Sequence, residues 1–268
     1  MHARALRLRL QPTPYAWPDV NSHFGILDLC GFEKDRTYWY KAWFPTINEP
    51  VTTKTVIHSF PHWNWKTGDK VDIWTYSNAA FIELFVNGAS LGRQAMPQFG
   101  HVQWLQVPFV AGSYHTVAYD AENKTLGTAN RSTTGAPAAL RASIRDSVGA
   151  IMYAGCNDYG LVMVEVVDAA GLVVPDAANI VSLALRGSKS AFIDGTGNGD
   201  PAGHFNNKLP VRPAYHGLML GVISGGDDLG TLTVTATSPG LASATVTMEV
   251  AARDDTVSDR WCSPNPKW

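Results

Sequence analysis

From Val51 to Val250 apolar and polar residues alternate in short runs, and this period of two limits the fold more than any other feature. Successive strand residues point to opposite faces, so each run buries one face only and needs a second sheet to cover it. The clearest case is Thr231–Thr237, where threonines alternate with Leu232, Val234 and Ala236. Its partner, Ala242–Val250, follows across Ser238-Pro239-Gly240, a turn sequence. Earlier in the chain, Lys70–Tyr76, Phe81–Val86, Ala89–Arg93, Val102–Val107 and Tyr114–Tyr119 also read as strands. Asn87-Gly88 signals a type I′ hairpin, because both residues accept positive φ. Leu161–Val167, ending in a turn at Asp168–Gly171, continues the pattern, as do Ile180–Leu185 and Leu218–Ile223. Short strands at this spacing predict a mostly β chain with two immunoglobulin-like β-sandwich domains. One spans 51–134 and the other 135–251, linked through the small-residue stretch Thr133–Ala138. The charged, then proline-rich residues 252–268 are expected to be a disordered tail.

One helix is expected, near the start. Asp35 suits an N-cap, since its carboxylate can accept free amide hydrogens of the first turn. Tyr38, Trp39, Ala42 and Trp43 fall on one face, and Pro45 and Pro50 stop the helix. So aromatic a face needs a large partner, which the strand-rich remainder does not offer, so the partner is expected upstream of Met1.

Charged residues make up only 16% and the formal net charge is −2, so no basic footprint for nucleic acid or an anionic membrane is present. No apolar run approaches the roughly 20 residues of a membrane helix. Cys30, Cys156 and Cys262 lie far apart without metal-ligand or redox spacing. At most one intramolecular pair can form, and three ordinary thiols are the default expectation. Asn123-Lys-Thr and Asn130-Arg-Ser are glycosylation sequons that matter only in a secreted protein.

Three stretches carry a family resemblance. PTPYAWPDVNSHFGILDLCGFEKDRTYWYKAWF, from Pro12, resembles the closing segment of the catalytic barrel in family 2 glycoside hydrolases of the β-galactosidase type. There it is similar to the loop after the eighth barrel strand and the final barrel helix. FPHWNWKTGDKVDIWTYSNAAFIELFVNGASLGR (60–93) and GTGNGDPAGHF with RPAYHGL (195–205 and 212–218) follow in the family's order. The resemblance implies that 1–50 is the incomplete strand, loop and helix end of a (β/α)8 barrel, placed before the two sandwiches. MHARALRLRL departs from the aromatic and acidic strand end of such relatives, which points to an artificial or truncated start.

The same resemblance implies a C-terminal fragment of an enzyme that hydrolyses terminal β-galactosides or related β-glycosides with retention. Retaining enzymes need two carboxylates about 5–5.5 Å apart. By resemblance both are glutamates on earlier barrel strands, so no catalytic residue is expected in this chain, and the chain alone is expected to be inactive. Glu33 and Asp35 read as helix-start acids rather than as that pair. Tyr15 and Trp17 lie, by resemblance, on a loop at the barrel mouth and are candidate substrate contacts; Asn21 and His23 could add polar contacts, with a capping or turn role preferred. In His62-Trp63-Asn64-Trp65 the two indoles are candidate contacts at a sugar site or a plug between this domain and the barrel, and the plug is the preferred reading. His58 and His62 lack a third ligand, so no metal is expected there. Asp194–Asp200 resembles the opening of a calcium loop, but Phe205 stands where the closing glutamate belongs, and a glycine-rich strand connection is expected instead.

No cofactor is implied. Carbohydrate is the expected partner, through the parent enzyme, while homo-oligomerisation and the compartment of this chain stay open, an extracellular or periplasmic place being favoured for the parent enzyme. The alternatives are a non-catalytic carbohydrate-binding sandwich protein, consistent with nine tryptophans, and a purely structural product.

Overall fold

A computed structural model describes residues 15–21, 23–44, 54–145, 150–156 and 158–252. The expectations for MHARALRLRL, Pro45, Pro50, Cys262 and the tail from 253 lie outside these residues. The chain divides into two compact units. The first comprises Phe24–Asp28 and Phe32–Thr134, and the second takes the residues up to His23, Leu29–Gly31 and Gly135 onward.

The first unit contains helix α1 (Asp35–Trp43) and strands β1 (Ile57–Phe60), β2 (Lys70–Ser77), β3 (Phe81–Val86), β4 (Ala89–Ala95), β5 (Val102–Pro108), β6 (Ser113–Tyr119) and β7 (Thr125–Ser132). Its sheets run in the order β1-β2-β5 and β4-β3-β6-β7, with every pair antiparallel. Ile73 from one sheet and Ile82, Leu84 and Tyr114 from the other are fully buried in one cluster. Each of the aliphatic side chains contributes about 1.5–3 kcal/mol by leaving water. A polar clasp crosses this core: Ser59 Oγ lies 2.9 Å from Thr75 Oγ1 and 2.5 Å from Thr116 Oγ1. The β3–β4 turn has φ of 47° at Asn87 and 84° at Gly88, the two positive angles a type I′ turn requires.

Helix α1 departs from expectation at its start and in its packing. Lys34, not Asp35, is the N-cap and makes no side-chain cap bond. Asp35 sits in the first turn, favoured by the helix dipole, and its carboxylate meets His58 Nε2 at 2.7 Å. His58 stacks on Tyr38 with ring centroids 3.8 Å apart. Thr37 Oγ1 donates to the Ile26 carbonyl at 2.5 Å, and Trp39 Nε1 donates to the Phe99 carbonyl at 3.0 Å. One side of the helix therefore has its partner inside this unit, against β1, contrary to the expectation that the strand-rich remainder offers none.

The second unit holds β8 (Ala139–Ile144), β9 (Ile151–Tyr153), β10 (Tyr159–Val167), β11 (Ile180–Arg186), β12 (Phe192–Gly197), β13 (Val211–Pro213), β14 (Leu218–Ser224), β15 (Gly230–Thr237) and β16 (Ala244–Ala251). Sheet orders are β12-β14-β10-β8 and β13-β11-β15-β16-β9, and only β16–β9 is parallel. Leu232, Val234 and Ala236 are fully buried, so the wet and dry faces of β15 fall as the alternation requires. The turn at Asp168 is built on its carboxylate, which accepts backbone N–H groups of Gly135, Ala170 and Leu172 at 2.8–2.9 Å. These bonds, that from Gly135 foremost, hold its pKa below the usual carboxylate range. Cys156 takes part in a disulfide, so the expectation of three ordinary thiols fails. Wide sequence spacing did not prevent pairing, because pairing depends on Cα separation in space.

Candidate functional site

Within the second unit, the segment from Tyr15 to Val20 is held against the loop that follows β12. Asp19 N–H closes a turn on the Ala16 carbonyl, and the Trp17–Pro18 peptide is cis. Val20 N–H donates to the Pro201 carbonyl at 2.7 Å. His204 Nε2 lies 2.7 Å from the Pro18 carbonyl, and the His204 ring lies 4.2 Å from that of Trp17. With the indole seated on His204, 77% of Trp17 remains exposed. Tyr15 stacks on His23 at 3.9 Å, and His23 Nε2 stands 3.5 Å from Asp19 Oδ1. An exposed indole braced by polar contacts is a ready stacking surface, since aromatic rings carry large binding area on few torsions.

The end of β12 and the loop after it owe their shape to glycines and to buried polar groups. A Cβ on Gly197 would stand 2.5 Å from Cys30 Sγ, and one on Gly195 2.8 Å from the Asn207 carbonyl. Only glycine lets β12 pass so close to the Cys30 sulfur and the Asn207 backbone. Thr196 Oγ1 donates to the Leu209 carbonyl at 2.8 Å, and Asn198 Nδ2 to the Pro213 carbonyl at 3.0 Å. Asp194 pairs with Lys208 Nζ at 2.7 Å. The oxygens once compared with a calcium loop are thus engaged in strand β12 and its connection. Arg145 anchors the incoming segment, donating from Nη1 to the Cys30 carbonyl at 2.5 Å and from Nη2 to the Gly31 carbonyl.

The remaining candidate contacts lie in the first unit. Trp63 is a correction: it is fully buried, donates from Nε1 to the Val110 carbonyl at 3.0 Å, and packs edge-on against Phe109 and Tyr114. No sugar can reach it, and it plugs the core of its own unit rather than a junction with a barrel. Trp65 is 41% exposed, with its N–H on the His62 carbonyl at 2.8 Å and its ring stacked on His62. His58 and His62 are committed elsewhere, to Asp35 and to the Asn64 N–H. Glu33 and Asp35 likewise serve Lys41 and His58. Sequence reasoning missed His204, which braces Trp17, and Arg212, which donates to Thr196 Oγ1 and Asn207 Oδ1. His204 and Arg212 lie in the segments 201–205 and 212–218, without a spacing that points to chemistry.

Residues 149–247 match the family described as Glycoside hydrolase family 2 C-terminal domain 5, and residues 68–127 match one described as Domain of unknown function (DUF4982). Beta-galactosidase BoGH2A of Bacteroides ovatus is 39% identical over 237 residues, covering 87% of this chain and 26% of that protein. A beta-glucuronidase of Formosa agariphila is 30% identical over 235 residues, covering 86% of this chain and 22% of that protein. The crystal structure of a beta-glycosidase from Bacteroides vulgatus has a TM-score of 0.77 at 24% identity, covering 87% of this chain and 29% of that one, and shares its fold. This chain spans 26% or less of the length of these curated relatives.

Proposed function

We propose that this chain, which carries a C-terminal domain of the family 2 glycoside hydrolases, is the non-catalytic C-terminal part of a retaining β-glycosidase. The parent enzyme hydrolyses terminal β-linked sugars, with β-galactosides as the first choice of substrate. The higher identity to a beta-galactosidase than to a beta-glucuronidase supports that order. The two catalytic glutamates belong to the parent's barrel and not to this chain. What this chain contributes is a braced aromatic surface. Trp17, seated on His204, offers its open side to the C–H face of a sugar ring, and Tyr15 extends the same loop. The exposed indole held by the Pro18–His204 and Val20–Pro201 contacts is the observation that carries this reading.

The test is kinetic and uses the complete enzyme that contains this chain. Trp17→Ala should raise KM and lower kcat/KM at least about tenfold on a chromogenic β-galactoside, the scale expected when one aromatic contact is lost. His204→Ala should give a smaller loss in the same direction, because it acts only by positioning Trp17. A kcat/KM within twofold of the unaltered enzyme for Trp17→Ala would sink the reading. So would turnover by the purified 268-residue chain that disappears on mutation within it. Comparing β-galactoside with β-glucuronide on the same enzyme decides the sugar.

A further inference from the structure

We propose that the second unit contains a separate binding site for a hydroxylated carboxylate of monosaccharide size, a sugar acid, with Arg212 as its counter-ion. A cavity of about 470 Å³ opens there, lined on its polar side by Asp194, Asn198, Asp200, Lys208 and Arg212. Arg212 is only 4% exposed. It donates from Nε to Thr196 Oγ1 at 3.2 Å and from Nη2 to Asn207 Oδ1 at 2.6 Å. Both acceptors are neutral, and no carboxylate among the described residues pairs with the guanidinium. A buried cation with no carboxylate in contact is unfavourable; the Phe205 ring lies 5.4 Å from Cζ, and burial depresses the guanidinium pKa. The hydrogens on Nη1 have no acceptor among the described residues, and a planar guanidinium edge matches a planar carboxylate.

The rest of the lining narrows the ligand further. Asp194 is held by Lys208, and Asp200 Oδ1 accepts the Ala202 N–H at 2.9 Å. These carboxylates accept hydroxyl donors but repel additional negative charge, which disfavours phosphate or a dicarboxylate. Leu29, Leu220 and Val222 supply an apolar side suited to the C–H groups of a sugar ring. One carboxylate, several hydroxyls and a compact ring satisfy all three demands. This site goes beyond the glycosidase reading and does not require it, since it involves no bond cleavage.

The experiment is a titration of the isotopically labelled 268-residue chain, followed through the backbone amide signals of Gly195, Gly197 and Gly199. D-glucuronate should shift these signals saturably, with an affinity at least about tenfold above that of D-glucose, as expected for one charge-assisted hydrogen-bonded contact. Glucose binding as well as glucuronate would overturn the proposal, as would a response to inorganic phosphate but not to glucuronate, or no saturable response at all. The methyl β-glycoside of glucuronate separates the two sources of this chemistry: binding assigns the site to a glycan end, and exclusion assigns it to the free acid. Arg212→Gln should abolish the glucuronate response. Because that buried change can unfold the unit, the ligand comparison on the unaltered chain decides by itself. Neither result depends on hydrolysis, so this proposal and the catalytic one can fail separately.

Discussion

Replacing Trp63 by alanine should unfold the first unit while leaving the second intact. Trp63 is fully buried, its ring centroid lies 5.0 Å from that of Phe109 and 5.1 Å from that of Tyr114, and its N–H satisfies the Val110 carbonyl. Large aromatic-to-alanine changes in cores cost about 3–5 kcal/mol, and the lost hydrogen bond adds about 1 kcal/mol. The sum, about 4–6 kcal/mol, is comparable to the whole stability of many domains. Peptide-resolved hydrogen exchange on the full chain reads this directly. Protection should collapse across β3 and β6 and persist in β10 and β14, because those strands build a different core. Trp65→Ala, at a half-exposed ring, should change exchange little, with a cost under about 1 kcal/mol. Unchanged protection in β3 and β6, or a loss below about 1.5 kcal/mol, would refute the placement of Trp63 at the centre of this core.

Acid should weaken the second unit in a defined window. Asp228 is held at a pKa of about 2 by hydrogen bonds led by the Lys189 N–H, and Asp168 is also depressed. A depressed carboxylate stabilises the fold above its unfolded pKa of about 3.9 and loses that contribution as pH falls through the folded value. The urea midpoint of the second unit should therefore drop between about pH 4 and pH 2, and Asp228→Asn should flatten that slope. Gly197→Ala should lower Tm, since its new methyl would press on Cys30 Sγ. Adding Cys30→Ala should recover most of the loss, and equal Tm values for the single and double variants would exclude that contact as the cause.

Alternation placed most of the strands that line each core, but not β8 and β9, whose Leu140 and Met152 are buried in the second. In Thr231–Thr237 the identity of every second residue dictates which face is dry, because the strand period leaves no other choice. Strands that do not alternate cleanly were missed. Thr125–Ser132 is polar and lies at the edge of its sheet beside β6, and Phe192–Gly197 contains two glycines that read as loop. Their strand character comes from a neighbour's free ladder of N–H and C=O groups, which one sequence does not display. The same limit governed the aromatic candidates. His62-Trp63-Asn64-Trp65 presents two equivalent indoles, yet one fills a core and the other lies half in solvent. Local sequence determined that this loop would carry two large amphipathic rings. Which ring is buried was decided by Phe109 and Tyr114, more than forty positions away. Arg212 shows the point most sharply: its charge is legible in the sequence. That it would be buried without a carboxylate was decided only when β12, β13 and the glycine-rich loop closed around it, because desolvation depends on everything packed nearby.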